Sequence, residues 1–195
     1  MKNKVFFACL IAVVTACSSP KYKNPHVAIK TQFGDIEVEL YPDQAPKSVA
    51  AFLSYVDAGY YERASFYRVL NEDNQPTGNV GAALIQGGIY KNASLDTLKI
   101  TTIPHETTAQ TKILHTNGTL SLARQAPGTA STEFFICVGD QPGFDYGGEN
   151  NSDKQGYAAF GKVIKGMDVV IKIYGRPSNG EMLVPEVLIQ NIERL

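Results

Sequence analysis

The chain has 195 residues, with 18 Lys and Arg against 19 Asp and Glu, for a formal net charge of −1. Near-neutrality without clustered basic residues excludes the usual electrostatic surface for nucleic acid or anionic lipid. With 44% hydrophobic residues and no repeat of fixed period, the chain has the material for one domain with a full core.

The N-terminus reads as an export signal. Lys2 and Lys4 precede an apolar or small run from Val5 to Ala16, and Val14-Thr15-Ala16-Cys17 has the form of a lipobox. The run is shorter than the roughly 20 apolar residues a membrane span needs. Residues 1–16 are therefore expected to be a lipoprotein signal peptide, 17–25 a lipidated tether, and 26–195 the working domain. Cys17 would carry the lipid and fix the protein to a membrane of the bacterial cell envelope. Ser18, rather than an aspartate, follows it and favours the outer membrane. Cys9 leaves with the signal, so Cys137 is left without a disulfide partner. Flanked by Phe135, Ile136 and Val138, it reads as a small buried hydrophobe.

In the domain, "HVAIKTQFGDIEVELY" alternates on both sides of Gly34-Asp35, with Ile36, Val38 and Leu40 on one face and Glu37 and Glu39 on the other. This predicts a β-hairpin. "APKSVAAFLSYVDAGY" then shifts to helical spacing: Val49, Phe52, Leu53 and Val56 share a face, Pro46 suits the first turn and Gly59 the end. "ASFYRVL", "AALIQGG", "GTLSLAR", "EFFICVG" and "YAAFGKVI" are short strand runs between Gly, Pro, Asn and Asp. "GMDVVIKIYG" returns to helix, with Met167, Val170, Ile171 and Tyr174 on one side, and "PEVLIQNIERL" closes the chain as a strand. Many short strands with two helices predict a mainly β fold, a closed barrel or sandwich with helices over its ends.

Oxygen-bearing residues in "DYGGENNSDKQG", Asp145, Glu149, Asn150 and Asp153, do not have calcium-loop spacing. His26, His105 and His115 lack metal-ligand spacing and read as surface or strand-end residues. No metal and no cofactor are expected.

The order "FYRVL", "ALIQGG", "GTLSLAR", "STEFFICVGD", "FD", "GYAAFGKVIKGMDVV" resembles the cyclophilin-type peptidyl-prolyl cis-trans isomerases. Their pattern runs F-H-R-V-I, F-M-I-Q-G-G, G-x-L-S-M-A, S-Q-F-F-I and F-G-K-V-x-x-G-M-x-V-V. The resemblance covers residues 28–195 and implies an eight-stranded antiparallel barrel with a helix over each end. It implies Arg68 as the donor that meets the twisting amide, Gln86 as the residue steadying it, and Gly87-Gly88 as a point of close backbone approach. It makes Phe135 a wall of the proline slot, with Phe66, Ala123, Glu133, Phe144 and Tyr157 around it and Phe134 and Leu122 in the core.

Departures from that pattern are Ala83 in place of a phenylalanine, the lengthened segment 71–82, Glu133 for glutamine, Arg124 for asparagine, and Gly143-Phe144-Asp145 for Trp-Leu-Asp. Phe144 would replace the lost ring. By two-residue alternation Glu133 shares the pocket with Arg68, and two roles are open to its carboxylate: pairing with the guanidinium and dulling its donation, or orienting it as the usual glutamine does. The implied partners are proline-containing polypeptides, bound by a monomer. The alternative left open is a catalytically weak proline-binding chaperone or scaffold.

Overall fold

In the computed structural model, which describes residues 22–75, 81–90 and 100–195, eight antiparallel strands close on themselves. Strand β1 (His26–Thr31) pairs with β2 (Gly34–Leu40), and the ladder continues through β7 (Ala158–Lys165), β5 (Thr119–Leu122), β6 (Phe134–Cys137), β4 (Leu84–Gly88), β3 (Ala64–Leu70) and β9 (Met182–Arg194). Pairing of β9 with β1 closes the barrel and leaves the main ladder without an edge. The two-residue strand β8 (Ser178–Asn179) hangs on β9 outside this ring.

Helix α1 (Pro46–Asp57) buries Val49, Phe52, Leu53 and Val56, the face its spacing predicts. Phe52 enters the barrel against Tyr61, Phe134 and Phe160, ring centroids 5.2–5.8 Å away. Ala45 cannot cap this helix. Glu106 does so from across the chain, accepting from the Lys47 and Ser48 amides at 3.1 and 2.8 Å. Helix α3 (Met167–Tyr174) covers the other end, where Val169 reaches the hairpin glycine Gly34. Its buried face is Val169, Val170 and Ile173, while Ile171 is exposed, a rotation from the expected stripe. Met167 and Tyr174 pack at the margin. A short helix α2 (Thr108–Thr111), closed by a Thr107/Gln110 capping box, was not expected.

Two boundaries move. The first hairpin turns at Gln32-Phe33, since Thr31 pairs with Gly34, whose φ of +127° suits glycine. The expected signal peptide and Cys17 lie outside the described residues. The end of the expected tether is packed: the Tyr22 ring stacks on His26 at 3.6 Å, and Pro25 accepts from the Leu40 amide.

Candidate active site

The interior holds Phe66, Phe134, Ile136, Leu120, Leu122 and Phe160, so strand alternation sends their neighbours outward. On the outer wall of β3, β4, β6 and β5 this produces a second apolar cluster of Leu70, Leu84, Phe135, Cys137, Phe144 and Ala82, with Ala123 and Tyr157 at its margin. Phe135 forms edge contacts with Phe144 at 5.4 Å and Tyr157 at 5.2 Å. The 3-10 turn Pro142–Phe144 brings Phe144 to the slot. Cys137 is buried packing, and burial pushes its thiol well above the ordinary range.

The resulting cavity, about 150 Å³, is lined by Phe135, Phe144, Tyr157, Leu70, Leu84 and Ala123, with Arg68 and Gln86 on its rim. It has room for a single side-chain ring rather than a drug-sized ligand. A wider cavity of about 620 Å³ adjoins it, sharing Arg68, Gln86, Ala123 and Arg124 and adding Tyr67, Tyr90 and Glu133.

A β-bulge brings the arginine to this junction. Phe66 pairs with Gly87 and Arg68 with Gln86, so Tyr67 is the extra residue and the register shifts across it. Tyr67 and Arg68, adjacent in sequence, both face outward. Phe66 therefore turns into the barrel, 5.9 Å edge-on to Phe134 and fully buried, and does not line the slot as expected. Gly87 is required beneath the bulge, because a Cβ there would lie 2.8 Å from the Ser65 carbonyl.

From Arg68 runs a chain of donors. Arg68 Nη1 donates to Gln86 Oε1 at 2.8 Å, Gln86 Nε2 to the Tyr67 hydroxyl at 2.7 Å, and that hydroxyl to Glu133 Oε2 at 2.7 Å. Glu133 faces the same cavity as Arg68, as alternation predicts, but does not pair with the guanidinium: Gln86 and Tyr67 stand between them, and the link to Arg68 runs through both. The ion-pair partner of Arg68 is Glu181, whose Oε2 lies 2.8 Å from both Nε and Nη2. Glu133 sits over Gly88, where a Cβ would come within 2.5 Å of its carboxylate. Burial raises the Glu133 carboxyl above the usual carboxylate range, against the opposing pull of donors from Tyr67, Ile89, Thr132 and Tyr90. Burial likewise drives the Tyr67 phenol upward, keeping it a protonated donor.

Behind the slot is a residue whose role sequence reasoning missed. His115, expected as a surface or strand-end residue, is 1% exposed. Its Nδ1 lies 2.7 Å from Asp145 Oδ1 and its Nε2 3.0 Å from Ser121 Oγ, and its ring lies nearly parallel to Phe135. Asp145 follows Phe144 directly, so this contact also fixes the turn that carries the ring. The 145–156 oxygens do not converge: Asp145 serves His115, and Asp153 holds Arg124 through two hydrogen bonds of 2.8 and 2.9 Å. That pairing lays Arg124 against the Tyr157 ring, 5.3 Å from its centroid, and lowers the Asp153 carboxyl to about 2.

A barrel with an aromatic slot on its outer wall and a guanidinium on the rim defines a site that binds a small ring and offers hydrogen-bond donors beside it. Residues 26–194 match the family described as cyclophilin type peptidyl-prolyl cis-trans isomerase/CLD. The chain is 38% identical over 157 residues to a peptidyl-prolyl cis-trans isomerase of Acinetobacter baylyi, covering 80% of this chain and 75% of that protein. It is 37% identical over 150 residues to peptidyl-prolyl cis-trans isomerase B of Escherichia coli, covering 76% and 84%. A crystal structure of a Cryptosporidium parvum cyclophilin type isomerase superposes with a TM-score of 0.68 at 24% identity, over 88% of this chain and 98% of that one. The chain belongs to the cyclophilin-type peptidyl-prolyl cis-trans isomerases.

Proposed function

We propose that this chain rotates X-Pro peptide bonds in polypeptides of the bacterial cell envelope, with Arg68 as the catalytic donor and Gln86 as its support. The observation that carries this reading is the Arg68 guanidinium on the rim of a slot of about 150 Å³ walled by Phe135, Phe144 and Tyr157. No bond is made or broken in such a reaction. Its barrier, about 18–20 kcal/mol for peptide bonds, is the loss of amide resonance. The aromatic walls hold the proline ring still. Guanidinium protons outside the contacts with Gln86 and Glu181 are available to the twisted amide, whose carbonyl and nitrogen change charge as conjugation is lost. A donor that meets charge only in that state lowers the barrier without tightening either planar form.

The whole slot and its arginine come from one chain, which supports action as a monomer. The lipobox ending at Cys17 supports anchoring of the domain to a membrane, the outer membrane by the residue that follows. Family membership and the isomerase names of the bacterial relatives support the reaction assigned.

The test is a proline-isomerisation assay on the full chain and its Arg68→Ala variant, paired with fractionation of a Cys17→Ser variant. Loss of most turnover in the first and release from membranes in the second are expected. A wild type that binds proline peptides without turning them over would establish the scaffold reading instead. Membrane retention of Cys17→Ser would remove the anchor.

A further inference from the structure

Glu181 lies 113 positions from Arg68 in sequence, yet the fold aims it at the guanidinium from the backbone outward. Asn179 pairs with Met182, leaving Gly180-Glu181 as the two-residue turn between β8 and β9, with Gly180 at φ +55°. The turn is bound to β3 beside the arginine. The Val69 amide donates to the Glu181 carbonyl at 2.8 Å, Met182 pairs with Arg68, and Asn74 Nδ2 spans the Val69 and Gly180 carbonyls at 2.9 and 3.2 Å. The carboxylate therefore meets Arg68 on its Nε edge while Gln86 takes Nη1. Two acceptors on different edges of a planar group fix both its position and its plane.

We propose that Glu181 is a positioning residue for isomerisation, holding the Arg68 plane so that its uncommitted protons face the slot. The proposal rests on the assignment of Arg68 as the donor. Both partners are about one-third exposed, 32% and 40%, and exposed ion pairs contribute little to stability. The contact is expected to act on turnover instead. Gln86 alone contacts one nitrogen and leaves the guanidinium free to swing about it, and misplacement by about 1 Å can cost a catalytic group 10²-fold. Charge neutralisation by the carboxylate would work the other way, making Glu181 a brake. The opposite signs of the two effects separate them.

The experiment compares full-chain wild type, Glu181→Ala, Glu181→Gln, Arg68→Ala and the double variant Arg68→Ala/Glu181→Ala by isomerisation kinetics and thermal melting. Glu181→Ala is expected to lower kcat/KM about tenfold through kcat, with KM within about twofold and the melting temperature nearly unchanged. Glu181→Gln keeps an oxygen for Nε and should recover part of the loss. The double variant should be no slower than Arg68→Ala, because Glu181 acts only through the arginine. Unchanged or faster turnover in Glu181→Ala, beside an inactive Arg68→Ala, would overturn the positioning role and leave the donor assignment standing. Full activity in Arg68→Ala would overturn both.

Discussion

The two halves of the site are built on opposite physical terms. The slot is dry: Phe135 and Phe144 are each 2% exposed, and the polar group behind them, His115, has both ring nitrogens engaged. The rim is a chain of directed hydrogen bonds from Arg68 to Glu133, open to a wide cavity on one side. Apolar walls hold a ring by area and shape, without regard to its isomer. The directed donors discriminate between planar and twisted amide. Binding and catalysis should therefore respond to different substitutions.

The largest expected effect is on the dry half. Phe135→Ala removes a buried ring from the contacts with Phe144, Tyr157 and His115, at a cost of about 3–5 kcal/mol in unfolding free energy. Denaturant unfolding measures it. A loss below 1 kcal/mol would mean that the slot collapses without penalty and is no rigid wall.

Asp145→Ala should follow, at roughly 1–3 kcal/mol, because it strips a partner from a histidine that cannot reach water. Affinity for a proline peptide should fall with it, since Asp145 also fixes the Phe144 turn. Stability loss with unchanged affinity would uncouple His115 from the slot.

Tyr67→Phe cuts the donor chain between Gln86 and Glu133 while leaving the ring in place. The expected stability change is about 0.5–1.5 kcal/mol, with turnover reduced more than peptide affinity. Equal reductions in both would erase the distinction between the two halves.

The smallest effect is a pH slope. Burial raises the Glu133 carboxyl, so the folded chain holds that proton more tightly than the unfolded one. Its contribution to stability therefore falls as pH rises from about 4, the ordinary glutamate value, through the raised one. Glu133→Gln should flatten the pH dependence of the unfolding midpoint over that window. A slope that persists unchanged belongs to another group.

The same contrast governs what could be read from the sequence. Strand alternation put Phe135 on the face opposite Phe134, and the order of the motifs shared with the family located Ala123, Phe144 and Tyr157, which lie outside the strands where periodicity says nothing. Phe66 was misassigned because nothing in "SFYRVL", neither Gly nor Pro, marks the bulge at Tyr67. Strict alternation would have placed Phe66 and Arg68 together. Glu181 and His115 escaped for a different reason: their partners are 113 and 30 residues away, and a lone acid or histidine has no spacing to betray it. The docking of the Gly180-Glu181 turn on β3 depends on the closed barrel. The α3 stripe shifted because Gly34 and the hairpin tip chose the face that Val169 presents.

The most direct test of the division between slot and rim is magnetisation-exchange NMR on a proline peptide with wild type and Arg68→Ala, reading affinity and on-enzyme isomerisation rate from one sample. With the arginine as donor and the aromatics as binder, peptide affinity should change by less than about threefold while the on-enzyme rate falls about 10²–10³-fold. A peptide that no longer binds, or one that binds and still isomerises at the wild-type rate, would contradict it.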